Sequence, residues 1–253
     1  MRITPEDGVI VVTGAGSGLG RSMARAFCAR GFRVAGLGRR PEALEQTGSG
    51  LEGFRAHPVD VADAQAVREV FAVLGPVAVL VNNAAVYPHR DFLEETGESF
   101  AATMGINLGG VVNCSRAALT TMVDAGQGRI LNVATFADLN PLPTSAAYSV
   151  SKGAARILTR ALIADLADRF PDIVISDWMP GMLATQMGIP EGTDPDVSAE
   201  WGVAQALSRD PSLMGAVFEM DREILPPRSL KGRVKDLLLM QRRKARHIAD
   251  LSQ

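Results

Sequence analysis

The feature that most constrains this chain is an alternation. Short runs rich in Val and Ile are separated by longer stretches whose apolar residues recur at helical spacing. The runs fall at residues 9–13, 33–37, 54–58, 77–82, 129–134 and 173–179, with a weaker seventh at 216–219. Strands that are apolar on both faces and spaced by helices pack into a parallel sheet covered on two sides. The expected fold is α/β, a doubly wound parallel sheet of about seven strands with helices on both faces, the Rossmann arrangement. Two long helices are predicted over 99–125 and 149–170, the second after the proline-rich segment 139–144. The Gly- and Pro-rich stretch 180–197 reads as a long connection over the C-terminal edge of the sheet, where substrate-selecting loops belong.

At 253 residues the chain suits one large domain, placed here at 1–227. From Arg228 onward eight Lys or Arg stand against two Asp, so the net charge of −2 divides into +6 for that stretch and −8 for the rest. Residues 228–253 are therefore expected to form a basic helical extension, with Val234, Leu237, Leu238 and Ile248 as an apolar stripe and Arg242, Arg243, Lys244 and Arg246 on other faces. A helix packed on the acidic body or on a second copy, a membrane-surface anchor and a frayed tail are the three readings of it. The acidic body argues against nucleic acid as a partner, because duplex affinity comes largely from neutralised phosphates.

Hydrophobic residues make up 47% and charged residues 21%, which excludes a wholly disordered or fibrous chain. No apolar run approaches the roughly 20 residues of a membrane-spanning helix. The opening residues lack an apolar segment followed by a small-residue cleavage site, so a cytoplasmic location is expected. Cys28 and Cys114, the only cysteines, have neither metal-site nor disulfide spacing, and no metal is expected.

Directly after the first run comes Thr13-Gly14-Ala15-Gly16-Ser17-Gly18-Leu19-Gly20, followed by an alanine-rich helix. Glycines allow a tight turn and a close backbone approach, while the free N–H groups and positive end of the helix attract a pyrophosphate. The spacing Gly-x-x-x-Gly-x-Gly is a variant of the general dinucleotide fingerprint, and a plain loop is the alternative. At the end of the second run, where an acid would accept bonds from a ribose 2'-hydroxyl, stands Leu37-Gly38-Arg39-Arg40. A guanidinium beside a 2'-phosphate contributes about 1.5–3 kcal/mol, roughly a factor of 10 to 150 in affinity, so NADP(H) is favoured over NAD(H). A solvated charge pair is the ordinary alternative. Asp60, after the third run, suits either an adenine amine or a helix cap.

Tyr148-Ser149-Val150-Ser151-Lys152 places a phenol and an ammonium one helical turn apart on one face. A cation there stabilises phenolate and is expected to bring Tyr148 toward neutral-pH proton transfer. Thr135 ends the fifth strand, where its hydroxyl could hold a carbonyl oxygen or simply close the strand. Asn82, in Asn82-Asn83-Ala84-Ala85, and Asn107 are amides that need partners if buried.

In order and spacing, the Thr13–Gly20 turn, Asn82–Ala85, Asn107, Thr135, Tyr148-x-x-x-Lys152 and Pro180-Gly181 with Thr185 resemble the short-chain dehydrogenase/reductase family over about residues 8 to 220. The resemblance implies a single-domain Rossmann fold in which Tyr148 gives or takes the substrate oxygen's proton. It also implies that Lys152 holds the nicotinamide ribose and that Asn107 supports a proton relay to Lys152. On the cofactor it implies that Gly14, Ser17, Gly18, Leu19, Gly20, Asn82, Ala84, Pro180 and Gly181 surround the dinucleotide. Asp60 and Val61 would contact adenine, Thr185 the carboxamide and Arg39 the 2'-phosphate. Two departures stand out: Thr135 replaces the family's usual serine, adding a methyl group, and Ala85 replaces its usual glycine. A third is that the common C-terminal strand with an Asp-Gly-Gly turn is missing.

These features imply an NADPH-dependent reductase of a ketone, reversible toward a secondary alcohol. The alternative is a dinucleotide-binding sensor or scaffold with the fold but no turnover. Val86, Tyr87, His89, Phe136, Leu139, Met182, Gln186 and Met187 are the candidate substrate contacts, a mostly apolar set that suits a weakly polar carbonyl compound. The resemblance further implies a homodimer or homotetramer built on the two long helices.

Overall fold

The computed structural model describes residues 2–226 and 244–252. Seven strands run parallel: β1 (Val9–Thr13), β2 (Val34–Gly38), β3 (Phe54–Pro58), β4 (Val77–Asn82), β5 (Gly128–Val133), β6 (Ile173–Met179) and β7 (Val217–Glu219). An eighth, β8 (Arg222–Ile224), returns antiparallel on β7. The sheet order is β3-β2-β1-β4-β5-β6-β7-β8.

Successive side chains of β1 show why both faces are apolar. Ile10 and Val12 join a core with Met23, Ala24 and Phe27 of α1 (Gly18–Ala29) and with Ala199 and Val203 of α7 (Pro195–Ala206). Val9 and Val11 join a second core with Val67 and Phe71 of α3 (Ala64–Leu74) and with Cys114, Ala118 and Met122 of α5 (Gly110–Ala125). Side chains alternate across a strand, so a β-branched residue at every position feeds two cores at once. The remaining helices are α2 (Pro41–Gly48), α4 (Gly97–Met104) and α6 (Ala146–Leu166). Asp63 caps α3, accepting from the N–H groups of Gln65 and Ala66.

Three expectations change. The sheet has an eighth strand, because Met220 at φ 50° turns the chain back onto β7. Three residues of Arg222–Ile224 are too few to announce a strand by alternation. The helix expected over 99–125 is α4, then a π-helical segment Gly105–Gly109, then α5. Such a widened turn re-aims one side chain, and here that side chain is Asn107. Of the basic extension, Val234, Leu237, Leu238, Arg242 and Arg243 lie outside the described residues. Its end does pack on the body: Ile248 is buried in the α1/α7 core and Arg246 pairs with Glu223 at 2.8 Å. No described helix is long and apolar enough to cross a membrane.

Candidate active site

β1 and β4 are neighbours, yet the chain leaves them toward opposite faces, which opens a crevice at their C-terminal ends. A cleft of about 780 Å³ occupies it. Gly14 and Gly18 take left-handed φ values of 69° and 48°, so the turn needs residues without a side-chain penalty there. A Cβ on Gly14 would stand 2.8 Å from the Asn83 amide, and one on Gly20 only 2.3 Å from the Gly14 carbonyl. The turn is anchored from β4. Thr13 Oγ1 accepts the N–H groups of Asn83 and Ala84 at 2.9 Å each, and Asn83 Nδ2 donates to the Thr13 carbonyl at 2.9 Å.

Ser17, the residue before α1, makes no side-chain bond to the helix's free N–H groups. Those donors and the positive helix end face the cleft through Ser17, Gly18, Leu19 and Gly20. An uncapped helix end beside glycines with no room for a side chain fits the diphosphate of a dinucleotide. A small adjoining hollow is lined by Gly14, Gly16, Gly38, Arg39, Arg40 and Ala43.

The chemical end is brought together by three connections. Thr135 follows β5 and accepts the Ala137 N–H through Oγ1 at 3.2 Å, which starts a 3-10 turn, Phe136–Asp138. Tyr148 sits in the first turn of α6, with Lys152 one turn later. Lys152 is buried, and its Nζ donates to the Val133 carbonyl at 2.8 Å. From the connection after β4, the ring of Tyr87 stacks on Tyr148 with centroids 4.3 Å apart, and His89 lies 4.0 Å from Tyr87. After β6, residues 180–194 fold back on themselves through an Ala184 N–H bond to the Thr193 carbonyl at 2.9 Å. A Cβ on Gly18 would meet the Thr185 methyl at 3.2 Å, so this connection seats directly on the glycine turn.

Residues 8–196 match the family described as short chain dehydrogenase. The chain belongs to that family. It is 34% identical over 186 residues to an L-xylulose reductase of Mesocricetus auratus, covering 73% of this chain and 75% of that protein. It is 33% identical over 189 residues to a carbonyl reductase (NADPH) 2 of Sus scrofa, covering 74% and 77%. A solved short chain dehydrogenase/reductase family protein superposes with a TM-score of 0.79 at 26% identity, covering 86% of this chain and 97% of that one. This chain is accordingly an oxidoreductase of the short chain dehydrogenase family.

Of the residues singled out from the sequence, Gly14, Ser17, Gly18, Leu19, Gly20, Ala84, Thr135, Tyr148, Lys152, Pro180, Gly181 and Thr185 line the cleft. Arg39 lines the adjoining hollow. Four lie elsewhere. The amide at the cleft is Asn83 and not Asn82, which is buried and donates to Asn132 Oδ1 at 2.8 Å and Ser115 Oγ at 3.0 Å. Strand phase explains this, because Asn82 falls on the same face of β4 as the core residue Leu80. Asn107 is fully buried: its Oδ1 accepts the Val86 N–H at 2.8 Å, and its Nδ2 donates to the Val86 carbonyl and Ser151 Oγ, each at 2.9 Å. Asp60 turns its carboxylate onto the Ala62 N–H, and Val61 lies buried under Gly110. Among the expected substrate contacts, Val86 and Leu139 do not line the cleft, whereas Tyr87, His89, Phe136, Met182, Gln186 and Met187 do.

The electrostatics of the pair differ from expectation. Burial pushes the Tyr148 phenol up, reinforced by Tyr87 and Asp138, while the Thr135 hydroxyl pulls it down. Lys152 is itself brought down to about 8 by loss of water, with Asp177 and Asp138 opposing the fall. Arg40 and Asn83, each the second member of a doublet visible in the sequence, join the cleft and its hollow. The half-buried neighbours Asp138 and Arg156 carried no sign in the sequence.

Proposed function

We propose that this chain is an NADPH-dependent carbonyl reductase that acts on weakly polar ketones and runs reversibly toward secondary alcohols. The observation that carries it is one cleft holding a phenol, a hydroxyl and a buried ammonium at one end and an uncapped helix turn at the other. A bound nicotinamide dinucleotide supplies the hydride.

The chain's own residues do the rest. Gly14, Ser17, Gly18, Leu19 and Gly20 would hold the diphosphate, and Arg39 with Arg40 the 2'-phosphate. Ala84, Pro180, Gly181 and Thr185 would border the nicotinamide. Tyr148 gives its proton to the substrate oxygen, a task that suits a phenol whose proton is held tightly by burial. Thr135 accepts the Ala137 N–H through Oγ1 and bonds Tyr148, which sets its hydroxyl beside the phenol as a second donor to the same oxygen. Lys152, with one N–H spent on Val133, keeps two for the ribose hydroxyls. Asn107 fixes Val86 and Ser151, the residues immediately before Tyr87 and Lys152. Phe136, Leu142, Met182 and Met187 give the substrate end an apolar wall.

The name of the Sus scrofa relative supports NADPH as donor. Exposed Val112 on α5 and Val150 and Ile157 on α6 support a homodimer or homotetramer through these helices. With NADPH and a panel of ketones, loss of cofactor absorbance is expected, and Tyr148→Phe should slow it by about 10²–10⁴-fold. NADPH binding, followed by fluorescence, should be unchanged in that variant. Turnover at the wild-type rate in Tyr148→Phe would end the reading.

A further inference from the structure

The polar face of α6 continues past Lys152. Tyr148, Lys152 and Arg156 stand at i, i+4 and i+8, so all three look the same way. Arg156 is not at the cleft, and its side chain is 13% exposed, against 4% for that of Asp138. Its Nη2 donates to Asp138 Oδ1 at 2.9 Å and to the Thr135 carbonyl at 3.0 Å, with Met179 Sδ at 3.3 Å. Its Nε lies 2.6 Å from Asp138 Oδ2 with the N–H off line. One guanidinium therefore joins α6, the end of β5, the turn Phe136–Asp138 and the end of β6.

We propose that the half-buried Asp138–Arg156 pair is a positioning device for the two proton donors. It locks the turn that presents Thr135, and it keeps a neighbouring carboxylate neutralised beside Tyr148. The proposal rests on the reductase reading and adds to it two residues that touch no reactant.

Stability does not account for the pair. Replacing a buried ion pair by apolar residues of similar volume is often neutral or stabilising, because desolvation offsets the attraction. Geometry accounts for it better. Thr135 is held twice, by its hydroxyl through the Ala137 N–H and by its carbonyl through Arg156. A displacement of about 1 Å at a catalytic group can cost around 10²-fold in rate.

Charge is the second function. The groups that act on Tyr148 are Tyr87, with His89 behind it, and Thr135 and Asp138 from the β5 side; Lys152 stands one turn along its own helix. Asp177 of β6 acts on Lys152. Asp138 is the carboxylate among those that raise the phenol, and Arg156 is the cation that offsets it. Ketone reduction needs the phenol protonated, so kcat/KM falls as pH rises through the Tyr148 value.

The test is kcat/KM for ketone reduction against pH, at saturating NADPH, in wild type, Arg156→Met, Arg156→Lys and Asp138→Asn. Arg156→Met bares the carboxylate and should move the alkaline midpoint up by about half a pH unit or more; Asp138→Asn should move it down. In Arg156→Met kcat should drop about 10- to 100-fold with the ketone KM within about threefold, the mark of an interaction made in the transition state. Arg156→Lys should restore the midpoint and part of kcat, since a lysine keeps the charge but not the planar fork. If Arg156→Met does not fold, Asp138→Asn, which keeps the shape, decides alone. Equal midpoints in the folded variants overturn the proposal, and so does a loss confined to KM. Turnover that survives Tyr148→Phe would instead overturn the reductase reading, so the two failures are distinct.

Discussion

The nucleotide end of the cleft is made of backbone and the chemical end of side chains. Gly14, Gly18 and Gly20 lie within eight consecutive residues, and two of them would put a Cβ under 3.0 Å from a neighbour. Tyr87, Thr135, Tyr148 and Thr185 come from connections scattered over a hundred residues and meet only because β4, β5 and β6 lie side by side. The difference teaches that the first end tolerates no added atom, whereas the second tolerates exchange of one side chain for another. Thr135 in place of the family's serine and Ala85 in place of its glycine are exchanges of that kind.

The largest effect should follow Gly20→Ala. Its methyl would lie 2.3 Å from the Gly14 carbonyl, with Asn83 at 2.5 Å, so the turn must open. Titration with NADPH should show affinity down by about 100-fold or more, since binding there depends on backbone donors held in place. Affinity within about threefold of wild type would break the contrast at its stronger end. A middle-sized effect is expected at Arg39 and Arg40, which line the hollow beside Gly38. Arg39→Ala should cost about 10- to 150-fold in NADPH affinity and little in NADH affinity. Arg40→Ala, measured in the same titrations, sharpens which guanidinium meets the 2'-phosphate. Equal losses for both nucleotides would return the doublet to surface charge.

The two ends were not equally legible in the sequence. β1, β3, β4 and β6 stand at the expected bounds. β3 is exposed at Arg55, Ala56 and Pro58, and β6 buries the polar Ser176 and Asp177. β1 and β4, buried at every position, reach theirs because a strand covered on both faces leaves an apolar run. The glycine turn was legible for a related reason, since a demand for bare backbone can be met by one residue type. The inward turn of the Asn82 side chain was legible in its strand phase, in step with Leu80. Asn107 was singled out from the sequence, but its bonds to Val86 and Ser151 were not legible there, because a π-helical segment is a product of packing. Asp138 and Arg156 gave no local sign at all. They are 18 residues apart, and only the turn after β5 brings a charge that looks solvated in sequence against one that is buried. The upward push of burial on the Tyr148 phenol was likewise not legible, because burial is a tertiary property.

The smallest effect, and the one that tests the side-chain end, belongs to Tyr87. Its ring covers one face of Tyr148 at 4.3 Å and 19° and carries His89 on its other side. Stacking of this kind contributes about 0.5–1.5 kcal/mol, so Tyr87→Ala should lower kcat/KM by about 2- to 13-fold. Tyr87→Phe keeps the ring and should stay within about twofold, because the contact is made by the face and not the hydroxyl. The Ala variant should also admit water to the phenol and lower the midpoint of the alkaline limb, since burial and Tyr87 both hold the Tyr148 value up. If Ala and Phe behave alike, the ring is not what holds Tyr148, and the chemical end resembles the nucleotide end in depending on backbone placement. If only Ala loses rate and shifts the limb, the contrast stands. The same fold then offers a fixed cradle and, facing it, a set of replaceable side chains on which specificity for the substrate depends.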